Sequence, residues 1–410
     1  MQWLKEIPSH WEVRKMKYCF SERSEKNHPD EPILCATQSR GVIPQSKYAN
    51  RVVVVNKGFE GLKLVKKGDF VISLRSFEGG IEYAYYQGII SAAYTILQPN
   101  KDSFSNYWKV LFKSHSFIQL LQTCVTGIRE GQNINYSMLC RAFLPLPPLA
   151  EQEKIVSYLE DKTSKIDAYV ADKEKEIELL QELKQKTIAD AVTKGLNPDA
   201  KMKDYSSLIS SSCPEHWKIV RNKSFLSVTG EKVGKKASEF VLLSLTTKGV
   251  IVRDIESGKG KFPKDFDTYQ IVKPNELVFC LFDIDETPRT VGLVETEGML
   301  TGAYTAFKVY TELAIPEYIY DYYLCVDNIK ALKPYYSGLR KTVRADKFLQ
   351  IYMPLPPLDE QQAIVAYIEE KCEKIDKLAS ELQSEIDYLK EYKQRLIADC
   401  VTGQVNVSGV

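Results

Sequence analysis

Two long stretches of the chain carry apolar residues at helical spacing. From Ala150 to Lys194 no proline interrupts, and apolar side chains recur at Ile155, Leu159, Ile166, Val170, Ile177, Leu180 and Val192. The second stretch places Ile364, Ile368, Ile375, Leu378, Leu382, Ile386, Leu389 and Val401 in the same way. Steps of three, four and seven put these residues on one side of a helix with coiled-coil character. A helix of about 43 residues would be roughly 65 Å long at 1.5 Å per residue. One apolar stripe on so long a helix needs a partner, and the other copy is the obvious one. Each stretch follows a Pro-Leu-Pro-Pro-Leu run, 145–149 and 354–358. Proline forbids helix where it stands and gives a stiff start just after it. The same runs resemble peptide-docking ligands, but stiffening the exit from each globular half is the preferred reading.

The segments before these helices read as mixed α/β. β-branched and aromatic enrichment predicts strands over Arg51–Val55, Phe70–Leu74, Gly88–Leu97, Glu276–Phe282 and Ala303–Val309. Asn106–Cys124 and Pro316–Leu332 predict helices. Lys194–Ser212, with Gly195, Pro198 and a serine run, predicts a linker.

The two long stretches are copies. Residues 145–193 align with 354–402 without a gap, with 26 identities in 49 positions. Glu151-Gln152 matches Glu360-Gln361, and Lys165-Ile166-Asp167 matches Lys374-Ile375-Asp376. Upstream the match thins to anchors. Pro8, His10 and Trp11 pair with Pro214, His216 and Trp217, Gly41-Val42-Ile43 with Gly249-Val250-Ile251, and Ala93-Tyr94-Thr95 with Ala303-Tyr304-Thr305. Gly127-Ile128-Arg129 pairs with Gly338-Leu339-Arg340. Each half therefore joins a shared scaffold to a divergent part. For the two His-Trp anchors, a packed aromatic beside a satisfied histidine is preferred over a reactive site.

Charge divides along the same lines. The chain is near neutral, at +1. The two long stretches hold 22 acidic and 14 basic side chains, and the remainder 32 and 41. The helices are thus net −8 and the globular halves net +9, which favours a polyanion for the halves and a protein partner for the helices. Nine scattered cysteines without a CxxC pair point to free thiols, and the four histidines show no metal-ligand spacing with them. No apolar run is long enough for a membrane helix and the start lacks signal-peptide character, so a cytoplasmic protein with no membrane contact is expected. Catalytic motifs are also missing. There is no Asn/Asp-Pro-Pro-Tyr loop and no phosphate loop; Gly230–Lys236 is one residue short and lacks the Ser/Thr.

Two divergent halves, each closed by Pro-Leu-Pro-Pro-Leu, Glu-Gln and a long helix, resemble the specificity subunits of type I restriction–modification systems. The opening Trp3–Trp11 is also similar to the family's start. The resemblance covers nearly the whole chain and implies an α+β fold. Two α/β target-recognition domains would each be followed by a long helix, the two helices pairing as an antiparallel coiled coil in an internal pseudo-twofold repeat. The expected boundaries are 1–149, helix 150–194, linker 195–206, 207–358, helix 359–404 and a tail 405–410. The resemblance further implies that each half reads one part of a bipartite, asymmetric site in double-stranded DNA. Two methylation subunits would dock on the helices, and restriction subunits with motor and nuclease activity would join them. S-adenosylmethionine, ATP and magnesium would belong to those partners, with no cofactor, metal or catalytic residue in this chain.

Polar and basic loop residues are the expected DNA contacts, because Arg and Asn/Gln read purine edges while Lys mostly meets phosphates. They are Ser39, Arg40, Arg75, Ser76, Arg129, Gln132 and Asn133 in the first half. In the second half they are Lys248, Arg289, Arg340, Lys341 and Arg344. Any single one is also readable as a solvated surface charge or a structural ion pair. Expected partner-docking residues on the helices are Glu151, Gln152, Lys165, Asp167, Asp190, Glu360, Gln361 and Asp399, although Glu/Lys alternation is also the ordinary solvated face of a helix. Two other readings stay open: a fused DNA-modifying enzyme with unrecognised motifs, and a coiled-coil adaptor.

Overall fold

A computed structural model describes residues 3–4, 6–48, 58–100, 104–127, 133–253, 266–338 and 341–407. The chain forms two compact units, residues 1–174 with 383–410, and residues 175–382. The long helices run Leu149–Lys194 and Leu358–Val401. Each unit therefore combines one globular half, the start of that half's own helix and the end of the other helix.

In the first unit a four-stranded antiparallel sheet is ordered Phe20–Arg23, Thr95–Pro99, Phe70–Ile72, Glu82–Tyr83. In the second unit Leu226–Thr229, Thr305–Val309, Glu276–Phe279 and Val291–Leu293 repeat the order. The Ala-Tyr-Thr anchors fix the equivalence. Thr95 pairs with Ile72, and Thr305 with Phe279. One face of each sheet packs on a helix rich in buried aromatics, carrying Tyr107 and Trp108 in one unit and Tyr318, Tyr322 and Tyr323 in the other.

The first two residues of each Pro-rich run end a paired strand. Phe143–Leu146 pairs with Glu12–Lys15, and Tyr352–Leu355 with Lys218–Arg221. Chain entry and exit of each half are thereby tied together just before the long helix begins. Proline is tolerated in such two-stranded edges because no further strand needs its missing donor.

Within each unit the two helix segments run antiparallel. In the first, Asp167 meets Lys393 at 2.6 Å, Glu174 meets Lys390 at 2.9 Å and Lys173 meets Glu385 at 2.9 Å. In the second, Lys184 meets Asp376 at 2.7 Å. Lys184–Asp376 is the repeat-equivalent of Lys393–Asp167, so one ion pair is made twice. The apolar stripe is used in part: Ile155 and Leu159 cluster with Val401, joined by Val156, Leu396 and Cys400, and Val192 with Ile364 and Ile368, joined by Ile188 and Ala191, while Leu378 stays exposed.

Several boundaries differ from the sequence reading. Asn106–Cys124 is two helices, Ser105–Leu111 and His115–Thr123. Ser114 breaks them, its hydroxyl bonding back to the Leu111 carbonyl and accepting from the Phe117 N–H, the local competition that makes serine a cap rather than a helix interior. Gly88–Leu97 is two strands, Gly88–Ile90 and Thr95–Pro99. The linker is ordered in part. Met202–Asp204 pairs with Ser212–Pro214, and the Ser207 and Ser210 hydroxyls close the turn between them. The strand expected at Arg51–Val55 lies outside the described residues. All nine cysteines are free. Among the described residues no helix is long and apolar enough to cross a membrane, and no group of three or more His, Cys, Asp or Glu could hold a metal.

Candidate nucleic-acid interface

The duplicated Glu-Gln pair explains itself in the junction between each globular half and its helix. Gln152 and Gln361 are fully buried. The Gln152 carboxamide accepts from the Phe104 N–H at 3.0 Å and donates to the Pro147 carbonyl at 2.8 Å. Gln361 accepts from the Ile315 N–H at 2.8 Å and donates to the Leu313 and Pro356 carbonyls. Phe104 and Ile315 are the N-cap positions of the domain helices, and neither has a capping side chain of its own. Glutamine supplies from another element what the local sequence lacks. Glu151 bonds His10 at 2.9 Å, and Glu360 bonds His216 at 2.7 Å and the Trp217 N–H at 3.1 Å. Trp11 and Trp217 are packed in the core. The Tyr107 hydroxyl donates to the Val401 carbonyl and the Tyr318 hydroxyl to the Val192 carbonyl. Each half thus grips the carbonyl end of the other copy's helix, where orphan acceptors collect.

Most of the expected docking residues are engaged within the unit. Gln152 and Gln361 have no surface to offer, since both ends of each carboxamide are spent inside the unit. Glu151 and Glu360 hold histidines, and Asp167 is used between the helices. Lys165 and Asp190 keep exposed side chains, paired only within their own helix to Asp161 and Lys194, and the partly exposed Asp399 faces Arg395.

The expected DNA contacts divide similarly. Arg129, Gln132 and Arg340 lie outside the described residues. Ser76 is buried, its hydroxyl accepting from the Ser73 N–H, so it holds a turn instead of facing a ligand. Arg289 turns inward onto Asp327, a 2 % exposed carboxylate that also takes Lys330 at 2.7 Å and both donors of Thr290. Ser76 and Arg289 are thus both held by intramolecular bonds. Lys341 and Lys333 share Asp285. Exposed Arg344 bonds only its neighbour Asp346. Asn133 and Lys248 are exposed.

Ser39 and Arg40 lie at the tip of the Leu34–Thr37/Gly41–Pro44 hairpin. They line a cleft of about 480 Å³ with Gln38, Tyr83, Tyr85, Lys109 and Lys113. Arg75 is linked to it through Glu78, which meets both Arg75 and Gln38. Lys109 sits over the Tyr85 ring at 5.0 Å. Behind the tip, the Lys113 ammonium donates to Glu82 at 2.5 Å, the Gly79 carbonyl at 2.8 Å and the Gln38 carbonyl at 3.1 Å. Burial pushes the Glu82 carboxyl up to about 7 against the pull of Lys113. Gln38 stands on the hairpin and Lys109 and Lys113 on and just after the helix Ser105–Leu111, two regions that only the fold brings together, with Gln38 and Lys113 75 positions apart. A basic and aromatic cleft of this kind suits a nucleotide edge or a phosphate.

Residues 7–179 match the family model described as type I restriction modification DNA specificity domain. The type I restriction enzyme MjaVIII specificity subunit of Methanocaldococcus jannaschii is 24% identical over 98% of this chain and 95% of its own length. A second protein of that organism, assigned as the MjaX specificity subunit, is 23% identical over the same shares. The chain is similar to this family in sequence, most clearly over its first half. Its fold agrees. A chain from a structure on complex assembly and conformational transition of the type I R-M system superposes with a TM-score of 0.68, at 13% identity, over 98% of this chain and 100% of the other. The HsdS subunit of Thermoanaerobacter tengcongensis gives 0.53, at 14% identity, over 98% and 99%.

Proposed function

We propose that this chain is the DNA-sequence-specificity subunit of a type I restriction–modification complex, in which each globular half reads one part of a bipartite site and the helices carry two methylation subunits. The carrying observation is the contrast within the duplication. The junction residues are repeated pair for pair, while the hairpin tips and surface charges differ between the halves. A frame built twice suits two equivalent protein partners, and divergent loops on it suit two different DNA sequences. The chain acts without catalysis of its own in this reading, and S-adenosylmethionine, ATP and magnesium belong to its partners. Mapping methylated bases after reconstitution with the methylation subunits tests it. Exchanging residues 1–149 for those of a relative is expected to change one half of the methylated motif and leave the other. A motif unchanged by the exchange would remove the assignment.

The helices offer a more specific docking surface than the charged residues first named. Three pairs of large apolar residues stay exposed at repeat-equivalent positions: Tyr169 with Leu378, Leu179 with Tyr388, and Leu183 with Tyr392, all between 42% and 67% exposed. Identity is exchanged between Leu and Tyr, yet apolar character is kept. The first unit carries Tyr169, Tyr388 and Tyr392, and the second Leu179, Leu183 and Leu378. Exposed anchors of this size suit a protein interface. Tyr388→Glu with Tyr392→Glu is expected to reduce the bound methylation subunits from two to one by native mass measurement, with the chain's own melting unchanged.

A further inference from the structure

The two hairpin tips are built on one frame. In the first, the Thr37 hydroxyl donates to the Gly41 carbonyl at 2.9 Å and accepts from the Arg40 N–H at 3.0 Å. In the second, the Thr246 hydroxyl donates to the Gly249 carbonyl at 3.0 Å and accepts from the Lys248 N–H at 3.1 Å. Both glycines take positive φ, +70° and +98°. A Cβ on Gly41 would come within 2.6 Å of the Tyr83 carbonyl oxygen, so the tip is seated against the sheet edge. What the frame holds differs: Gln38-Ser39-Arg40 in one half, Thr247-Lys248 in the other.

The support behind the tips differs too. Glu82 pairs with Val71, and Gly292 with Val278, at equivalent places in the two sheets. At Gly292 the Val250 and Leu245 side chains close in, and a Cβ would lie 2.6 and 2.7 Å from them. In the first half that place holds the buried Glu82, with one oxygen on Lys113 and the other without a hydrogen-bond partner among the described residues. Lys113 in turn holds the Gln38 carbonyl. An apolar plug in one copy is thus a charged strut in the other, and the strut ends at the tip.

We propose that the Gln38-Ser39-Arg40 tip is the base-discriminating element of the first half, taking a purine edge, and that the buried Glu82–Lys113 pair is its positioning device. Gln and Arg are the side chains whose paired donor and acceptor geometry matches adenine and guanine edges. Both stand on a tip whose backbone is fixed by Thr37 and Lys113, so little ordering is left to the moment of binding. The exposed Tyr85 ring and Lys109 on the same cleft supply a stacking face and a phosphate contact. This rests on the reading that the first half contacts DNA.

The test uses the full chain with its methylation subunits and a library of duplexes varied at each base pair of the methylated site. Gln38→Ala and Arg40→Ala alter exposed side chains and leave the core intact. Each is expected to lower discrimination at one base pair of the first half-site roughly 5- to 150-fold, with preferences elsewhere kept. Lys113→Met is expected to relax the same base pairs. Glu82→Gln, which still offers Lys113 an oxygen, is expected to keep them. A purely structural role would instead lower binding to all duplexes in proportion. Unchanged preference at every position of the first half-site in both tip variants overturns the proposal while leaving DNA recognition by this half intact. A complex of unsubstituted chain without sequence preference would instead sink the proposed function itself.

Discussion

Asp327→Ala is expected to destabilise the second unit by about 3–5 kcal/mol, the cost of leaving buried charges without their counter-ion. Asp327 is 2% exposed and is the common partner of Arg289, Lys330 and Thr290, whose N–H and hydroxyl donate to it at 3.0 and 2.5 Å. Removing the carboxylate strands two cations that are themselves only 20% exposed. It also frees two buried donors at the start of a sheet strand. Asp327→Asn keeps an acceptor for Thr290 but loses the charge, so it should fall between the parent and the alanine variant. Urea unfolding followed by circular dichroism measures both. A loss below 1 kcal/mol would mean that the network is hydrated and adds little.

Gln361→Ala is expected to cost about 2–4 kcal/mol, because each buried backbone group left unpaired costs about 1–3 kcal/mol and some relaxation is available. The carboxamide serves the Ile315 N–H and the Leu313 and Pro356 carbonyls at once. Alanine satisfies none of them. The effect should reach beyond stability, since this glutamine ties the start of the domain helix to the start of the long one. Limited proteolysis is expected to open the chain near Pro356 in the variant and not in the parent. Gln152→Ala should behave alike in the first unit, where Phe104 and Pro147 lose their partner. Gln361→Glu keeps the acceptor for Ile315 but replaces the donor to Pro356 with a buried charge, and should be as damaging as alanine.

The long helices were legible because their signal is local. A proline-free run with apolar residues at three- and four-residue steps leaves one regular structure available, and Leu149–Lys194 and Leu358–Val401 follow it within a residue at their starts. The sheet strands were legible as apolar runs but not in their ends, because strand limits depend on pairing partners far along the chain. The Ser114 break shows the same limit: a hydroxyl reaching back to Leu111 outweighed the helical pattern around it.

The site residues were less legible. Residue type pointed to Arg40 and Arg289 equally, and the structure separates them. One stands at a hairpin tip over a cleft, and the other is turned onto a buried aspartate. Glu-Gln is visible in the sequence as a repeated pair, but the burial of its glutamine at the junction is not. A repeat marks whatever both copies must keep, and an internal glutamine is kept as firmly as an exposed one.

By itself the sequence determined the duplication, the two helices, the apolar stripe by which they pair and the concentration of positive charge on the globular halves. All of these follow from composition and periodicity over neighbouring residues. Only the tertiary structure decided that each half closes on the end of the other copy's helix, through Tyr107 and Val401 in one unit and Tyr318 and Val192 in the other. It also decided which polar residues are spent inside. Those outcomes turn on where unpaired backbone groups and buried charges find partners, and Tyr107 and Val401, one such pair, lie 294 positions apart in the chain.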